Sequence, residues 1–147
     1  LSDAEVNKLK MDDVAFYDVI YGNIGVKNGY HTWNHKSNDP VLPGDGYKYR
    51  GRGFNQLTFK QSYKKIAKET GIDIVSNPDL LNNIDNASEV AVKFLLNRFK
   101  QKGIDPNSFT SSKEAIDKFA GANAGWSKDP SRAIASATKL LPNFNVA

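Results

Sequence analysis

Apolar residues recur at helical spacing along most of this chain, and residues that start and stop helices mark the breaks between the periodic stretches. Ser2 with Glu5 three positions later predicts a short helix to about Lys10. Asp12 or Asp13 caps a second, with Val14, Tyr17, Val19, Ile20 and Tyr21 on its buried side before Gly22. Regularity returns at Thr58, read as an N-cap, and runs through Tyr63, Ile66 and Ala67 to Gly71, placed as a residue just past a helix end should be. After the turn IDIVSNPDLLNN, Asn86 with Glu89 opens a core helix carrying Val90, Val92, Phe94, Leu95 and Phe99 to Gly103. Ser111 with Glu114 opens another to Gly121, burying Ile116 and Phe119. Asp129 followed by Pro130 starts a last one through Ile134 and Ala137 to Leu141.

Between Gly22 and Gly53 the periodicity fails. That stretch is rich in glycine, contains Pro40 and Pro43, and holds both histidines and Trp33, so it reads as a long ordered loop with room for a short hairpin. Loops of this length in a compact domain usually carry function. No run alternates Val, Ile or Thr as a strand would. The fold class is therefore all-α, mostly helical, in one domain over residues 1–147, without repeats or linkers.

Composition narrows the chemistry. The 147 residues are 39% hydrophobic and contain no cysteine, which removes disulfide frameworks, thiol nucleophiles and cysteine-bound metals. No stretch approaches the ~20 apolar residues of a membrane span, so no membrane insertion is expected. The opening LSDAEVNKLK is too polar for a signal peptide, and a start at Leu1 suggests a processed product or a fragment. The net charge of +4 is unevenly spread. From Tyr47 to Ile72 seven bases face the single Glu69, a field that suits an anionic surface. Lys60, Lys64 and Lys68 also fit the solvated face of a helix. Nucleic-acid binding would rest on charge alone, and no nucleic acid is expected as a partner.

His31 and His35 stand four apart, but their segment has no helical period, so loop packing is expected, with no metal and no cofactor. The distinctive tract is GDGYKYRGRGFNQLTFKQSY, residues 44–63. Its glycines permit tight turns and its two arginines bring rigid forks of donors. Gln56 and Thr58 offer neutral hydrogen bonds beside Tyr47, Tyr49, Phe54 and Tyr63. On chemistry alone this is equally a sugar-binding wall and a structural turn.

The tract resembles the YxGRGxxQ(I/L)(S/T) signature of glycoside hydrolase family 19, which contains chitinases and phage endolysins. DVAFYDVIYGN at residues 13–23, GIDIVSNPDLL at 71–81 and ANAGWSKDPSR at 122–132 are similar to further family segments in the same order. GDGYKYRGRG is most like the endolysin branch. The resemblance implies a lysozyme-like helical fold and inverting hydrolysis of β-1,4 bonds between N-acetylated sugars. It implies Thr58 as the residue that positions the attacking water, and Gln56, Asn123 and Arg132 as substrate-binding residues. Tyr49, Arg52 and Tyr63 fall at positions that shape the cleft, with weaker claims to direct contact. The partner implied is peptidoglycan or a chitin-like polysaccharide, met at the bacterial cell wall by a phage-encoded protein, together with an upstream fragment of the same polyprotein or other phage proteins.

Both catalytic glutamates of that family precede the GDG loop, the acid in a histidine–glutamate motif, and residues 1–46 do not reproduce it. Of the four glutamates, Glu69, Glu89 and Glu114 suit capping or surface roles, and Glu5 is nearest in chain order to the family's base. The acid and base are therefore expected on an upstream segment, with these residues forming the C-terminal part of the catalytic domain. The alternative is a catalytically inactive glycan binder or structural phage component. Asn55 also stands where the family carries an apolar residue.

Overall fold

Helices account for the regular structure of the computed structural model, which describes residues 2–123 together with Ser131 and Ala135. Two compact units divide the chain, residues 1–91 and residues 92–147.

In the first unit, α1 (Asp3–Leu9) and α2 (Asp13–Ile20) follow each other closely. Asp12 caps α2: its backbone is extended and its carboxylate accepts the Ala15 amide at 3.0 Å. The expected apolar face is corrected by burial. Val14 is 44% exposed, and the residue α2 buries is Asp18, at 5%. Its carboxylate is spent on backbone amides of another segment, which makes burial of the acid tolerable.

The stretch from Gly22 to Gly53 is not one irregular loop. It contains α3 (Asn23–Lys27), a 3-10 turn over Thr32–Asn34 and α4 (Asp45–Lys48). Each has five residues or fewer, too short to show a helical period. The short hairpin contracts to two isolated pairings among the described residues, Lys36 with Asp39 and Arg52 with Leu57.

Helix α5 (Lys60–Thr70) ends as its sequence indicates, on Gly71 at φ +78°, whose amide bonds the Ala67 carbonyl. Its start departs from expectation. Thr58 is not the cap; Phe59 occupies that position at φ +78° with no side-chain bond to the helix. The missing acceptor comes from the loop, where Asn34 Oδ1 accepts the Gln61 amide at 3.0 Å. Lys60 also departs from a solvated face. It is 9% exposed, and its ammonium donates to the Pro40 carbonyl at 2.7 Å and Asp45 Oδ2 at 3.0 Å, with Asp39 Oδ1 at 3.3 Å.

A 3-10 turn over Pro78–Asn82 leads into α6 (Ile84–Lys102). This helix begins earlier than expected because Asn83, not Asn86, takes the first free amides, those of Asp85 and Asn86. Tyr63, Ile66, Ile74, Leu81 and Val90 form the buried centre of the first unit, each at 3% exposure or less.

In the second unit, Phe99 is 1% exposed and meets Phe109 and Phe119 edge-on, with ring centres 5.8 and 4.9 Å away. Val92, expected in the core, is 57% exposed. Helix α7 (Ser112–Asn123) runs two residues past Gly121. Ser111 Oγ accepts the Glu114 amide at 3.2 Å, while the Glu114 carboxylate reaches back to the Thr110 amide and hydroxyl. Ser131 and Ala135 are helical, and the remainder of the last expected helix lies outside the described residues. No described helix is long and apolar enough to cross a membrane.

Candidate functional site

The tract from Gly44 to Tyr63 is held by three sets of buried polar groups. Asp18 fixes its beginning: one carboxylate oxygen accepts the Gly44 amide at 2.6 Å and the other accepts the Gly46 amide at 3.0 Å. A side chain at Gly46 would place its Cβ 2.3 Å from the Tyr17 carbonyl oxygen, so only glycine allows this approach.

Asp45 forms the second anchor. It accepts the Leu42 amide at 2.9 Å and pairs with Lys60, while Asp39 pairs with Lys64 at 2.6 Å and accepts from Gln61 Nε2 at 2.8 Å. The Lys64 hydrogen bond is the main cause that draws the Asp39 pKa down to about 2, with Gln61 and Lys60 adding to it against the cost of burial. Burial acts to lower the Lys60 pKa, but its bonds to Asp45 and Asp39 outweigh this and raise it above the ordinary lysine value.

Arg52 is the third anchor. At 8% exposure its guanidinium pairs with Asp79 at 2.9 Å and donates to the Lys48 carbonyl at 2.7 Å and to the Tyr63 hydroxyl at 3.3 Å. That hydroxyl donates in turn to the Arg50 carbonyl at 2.9 Å, and burial raises the Tyr63 pKa. Tyr49 is also buried, with its hydroxyl 3.3 Å from the Val75 carbonyl. Tyr49, Arg52 and Tyr63, expected to shape the cleft with weaker claims to direct contact, are thus buried in the tract. They are interior residues whose polar atoms are already engaged, and they support the tract from behind.

Gln56 and Thr58 lie at the surface of the same tract. Arg52 and Leu57 exchange backbone bonds at 3.2 and 2.9 Å, closing a tight turn with Gln56 at φ +51°. The Gln56 side-chain amide donates to the Gly53 carbonyl at 3.1 Å, and the Thr58 hydroxyl donates to the Gln56 carbonyl at 2.8 Å. Both side chains converge on Gly51. A Cβ there would stand 2.8 Å from Gln56 Oε1 and 3.3 Å from Thr58 Oγ1. The two side-chain oxygens therefore pack over the Gly51 backbone, in the space a side chain there would take. Asn123 ends α7, but its side chain and all of Arg132 lie outside the described residues, as does the Glu5 side chain.

Sequence reasoning missed an aromatic group beside this turn. The Phe59 ring lies 4.6 Å from His31, 5.0 Å from Trp33 and 5.3 Å from Tyr21, centre to centre. Trp33 remains 50% exposed. The signal was the local density of Tyr30, His31 and Trp33 in an otherwise polar loop. His35 is structural, its Nδ1 accepting the Val41 amide at 3.3 Å. Among the described residues no group of three or more His, Cys, Asp or Glu is placed to hold a metal. The Glu114 carboxyl lies below its ordinary range because Thr110 bonds it, and Glu69 and Glu89 lie on exposed positions of α5 and α6.

No family profile matches the chain, and no solved structure matches it. It is 41% identical over 59 residues to a glycosyl hydrolase family 19 domain-containing protein of Haemophilus influenzae, covering 40% of this chain and 29% of that protein. It is 33% identical over 66 residues to endochitinase 1 of Theobroma cacao, covering 37% of this chain and 21% of that protein. The chain thus spans less than a third of the length of either relative. Its similarity to curated proteins is to ones that carry a family 19 or chitinase name.

Proposed function

We propose that this chain forms the substrate-binding wall of a family 19-type glycosidase that cleaves β-1,4 bonds between N-acetylated sugars by inversion. The observation that carries the reading is the convergence of Gln56 Oε1 and Thr58 Oγ1 over the backbone of Gly51. Because the Thr58 hydroxyl proton is committed to the Gln56 carbonyl, its oxygen is left to accept. A water donating to it keeps a lone pair free to attack an anomeric carbon. Gln56 Oε1 accepts from a sugar hydroxyl or N-acetyl amide on the same side.

An inverting reaction needs an acid and a base roughly 6.5 to 9.5 Å apart, with the water between base and sugar. Glu114 is engaged in its helix cap and Glu69 and Glu89 sit on helix surfaces, which leaves Glu5 as the first glutamate of these residues to test; by the family resemblance the acid and base are assigned to an upstream segment. Asn123 and Arg132 are assigned to sugar binding by the same resemblance. Peptidoglycan is favoured over chitin because the GDG loop resembles the endolysin branch and the cysteines of plant chitinases are absent. The basic stretch from Tyr47 to Ile72 suits an anionic wall, and the setting is a phage-encoded lytic protein.

A polypeptide that includes the family's histidine–glutamate segment should clear peptidoglycan suspensions, whereas these residues alone should bind glycan with little turnover. A second reading, a catalytically silent glycan binder, is favoured by the lack of the family's histidine–glutamate motif in residues 1–46. Lack of lysis by the longer polypeptide, with binding retained, selects it. Failure of both lysis and glycan binding removes both readings.

A further inference from the structure

Among the described residues three non-glycine positions adopt positive φ: His31 at 50°, Gln56 at 51° and Phe59 at 78°. Such backbone costs free energy, most of all at a bulky residue like Phe59, and persists only where neighbouring structure imposes it. The three positions are linked. Phe59 follows Thr58, whose hydroxyl bonds the Gln56 carbonyl, and the Phe59 ring lies against His31.

The Phe59 ring at this backbone position meets Trp33. Its indole meets the Phe59 ring at 70°, edge-on, and half of the residue stays open to solvent. The next residue holds it still: Asn34 is 1% exposed and bonded to the Gln61 amide. A half-exposed tryptophan packed on Phe59, the residue next to Thr58, offers an apolar ring to solvent near the polar Gln56–Thr58 turn. A pyranose ring has the complementary pattern, an apolar C–H face with a polar rim.

We propose that Trp33, packed on the Phe59 ring that His31 also meets, is a stacking subsite for one sugar ring of the glycan, next to the Gln56–Thr58 wall. The subsite rests on the function proposed above. It extends that function from hydrogen bonding at the reacting linkage to a grip on a neighbouring sugar.

The test is a titration of the isotope-labelled chain with the peptidoglycan glycan tetrasaccharide, alternating N-acetylglucosamine and N-acetylmuramic acid, following the Trp33 indole N–H signal and the amides of residues 51–58. Loss of the indole signal in Trp33→Ala distinguishes it from that of Trp126. Both sets of signals should move along one binding curve. Trp33→Ala should weaken binding about tenfold, the effect of removing roughly 50 Å² of apolar contact. Trp33→Tyr should restore most of the affinity, and the spectrum of each free variant reports whether it is folded. If the amides move while the indole stays and Trp33→Ala binds normally, the subsite is wrong and the Gln56–Thr58 wall survives. If the indole moves without the amides, the proposed continuity is overturned. If neither moves, the subsite and the function beneath it both fail.

Discussion

Removing the Asp18 carboxylate should loosen the GDG turn more than any surface change in the same region. Two short bonds converge on this side chain, from the Gly44 amide at 2.6 Å and the Gly46 amide at 3.0 Å, and Asp18 is 5% exposed. Hydrogen bonds to a charged group contribute about 1.5 to 3 kcal/mol each. In Asp18→Ala both are lost and the Gly46 amide stays buried without its acceptor. A destabilisation of about 3 to 5 kcal/mol follows, a large part of the ~5 to 15 kcal/mol typical of a domain. Asp18→Asn keeps the shape and one acceptor but turns an NH₂ toward the second amide, so about 2 kcal/mol is expected. Urea unfolding at unchanged slope measures the loss. Hydrogen exchange at Gly44 and Gly46 should accelerate in parallel. A loss below about 0.5 kcal/mol in Asp18→Ala would refute the anchoring role of this carboxylate.

Three further outcomes are expected. Both polar atoms of the Asn55 side chain are buried without a partner, so Asn55→Leu should raise the melting temperature by a few degrees, a gain of about 1 to 2 kcal/mol, and a lower melting temperature would contradict this. Asp39 titrates near 2 in the folded protein against an ordinary value of 3.8, so its contribution is complete above that ordinary value and is lost as pH falls toward 2. Carbon NMR of its carboxyl should show the low midpoint, and Lys64→Met should raise it; a wild-type midpoint near 4 would exclude the pairing. In a catalytically complete polypeptide, Thr58→Ala should reduce glycan cleavage roughly ten- to a hundredfold while Thr58→Ser retains most of it, and equal rates for the two would remove Thr58 from water positioning.

The helices with strong local signals were legible in the sequence. Asp12 caps α2, Gly71 ends α5 and Ser111 opens α7, each through contacts within four residues. Contacts between distant segments were not legible. Lys60 reads as a solvated lysine because its partners Asp39, Pro40 and Asp45 lie 15 to 21 positions upstream. Asp18 interrupts an apolar stripe, and the reason appears only when Gly44 and Gly46 arrive 26 and 28 residues later. At the candidate site, Gln56 is exposed and Thr58 half-buried. Tyr49, Arg52 and Tyr63 share their motif in sequence and yet fill the interior, because a pattern of residue types does not distinguish the lining of a groove from its backing. Trp33 stood in the sequence only as one aromatic residue of the loop, because its contact with Phe59, 26 positions away, has no local signal.

The first turn of α5 borrows its acceptor from Asn34. A peptide spanning only this helix would therefore fray at its beginning, and in the intact chain the Gln61 amide gains this acceptor only when residues 31–34 have docked. Closing that long connection early places it on the slow side of folding. It also joins the two segments mechanically: a nick near Ser37, far from the helix in sequence, should release amide protons at Gln61.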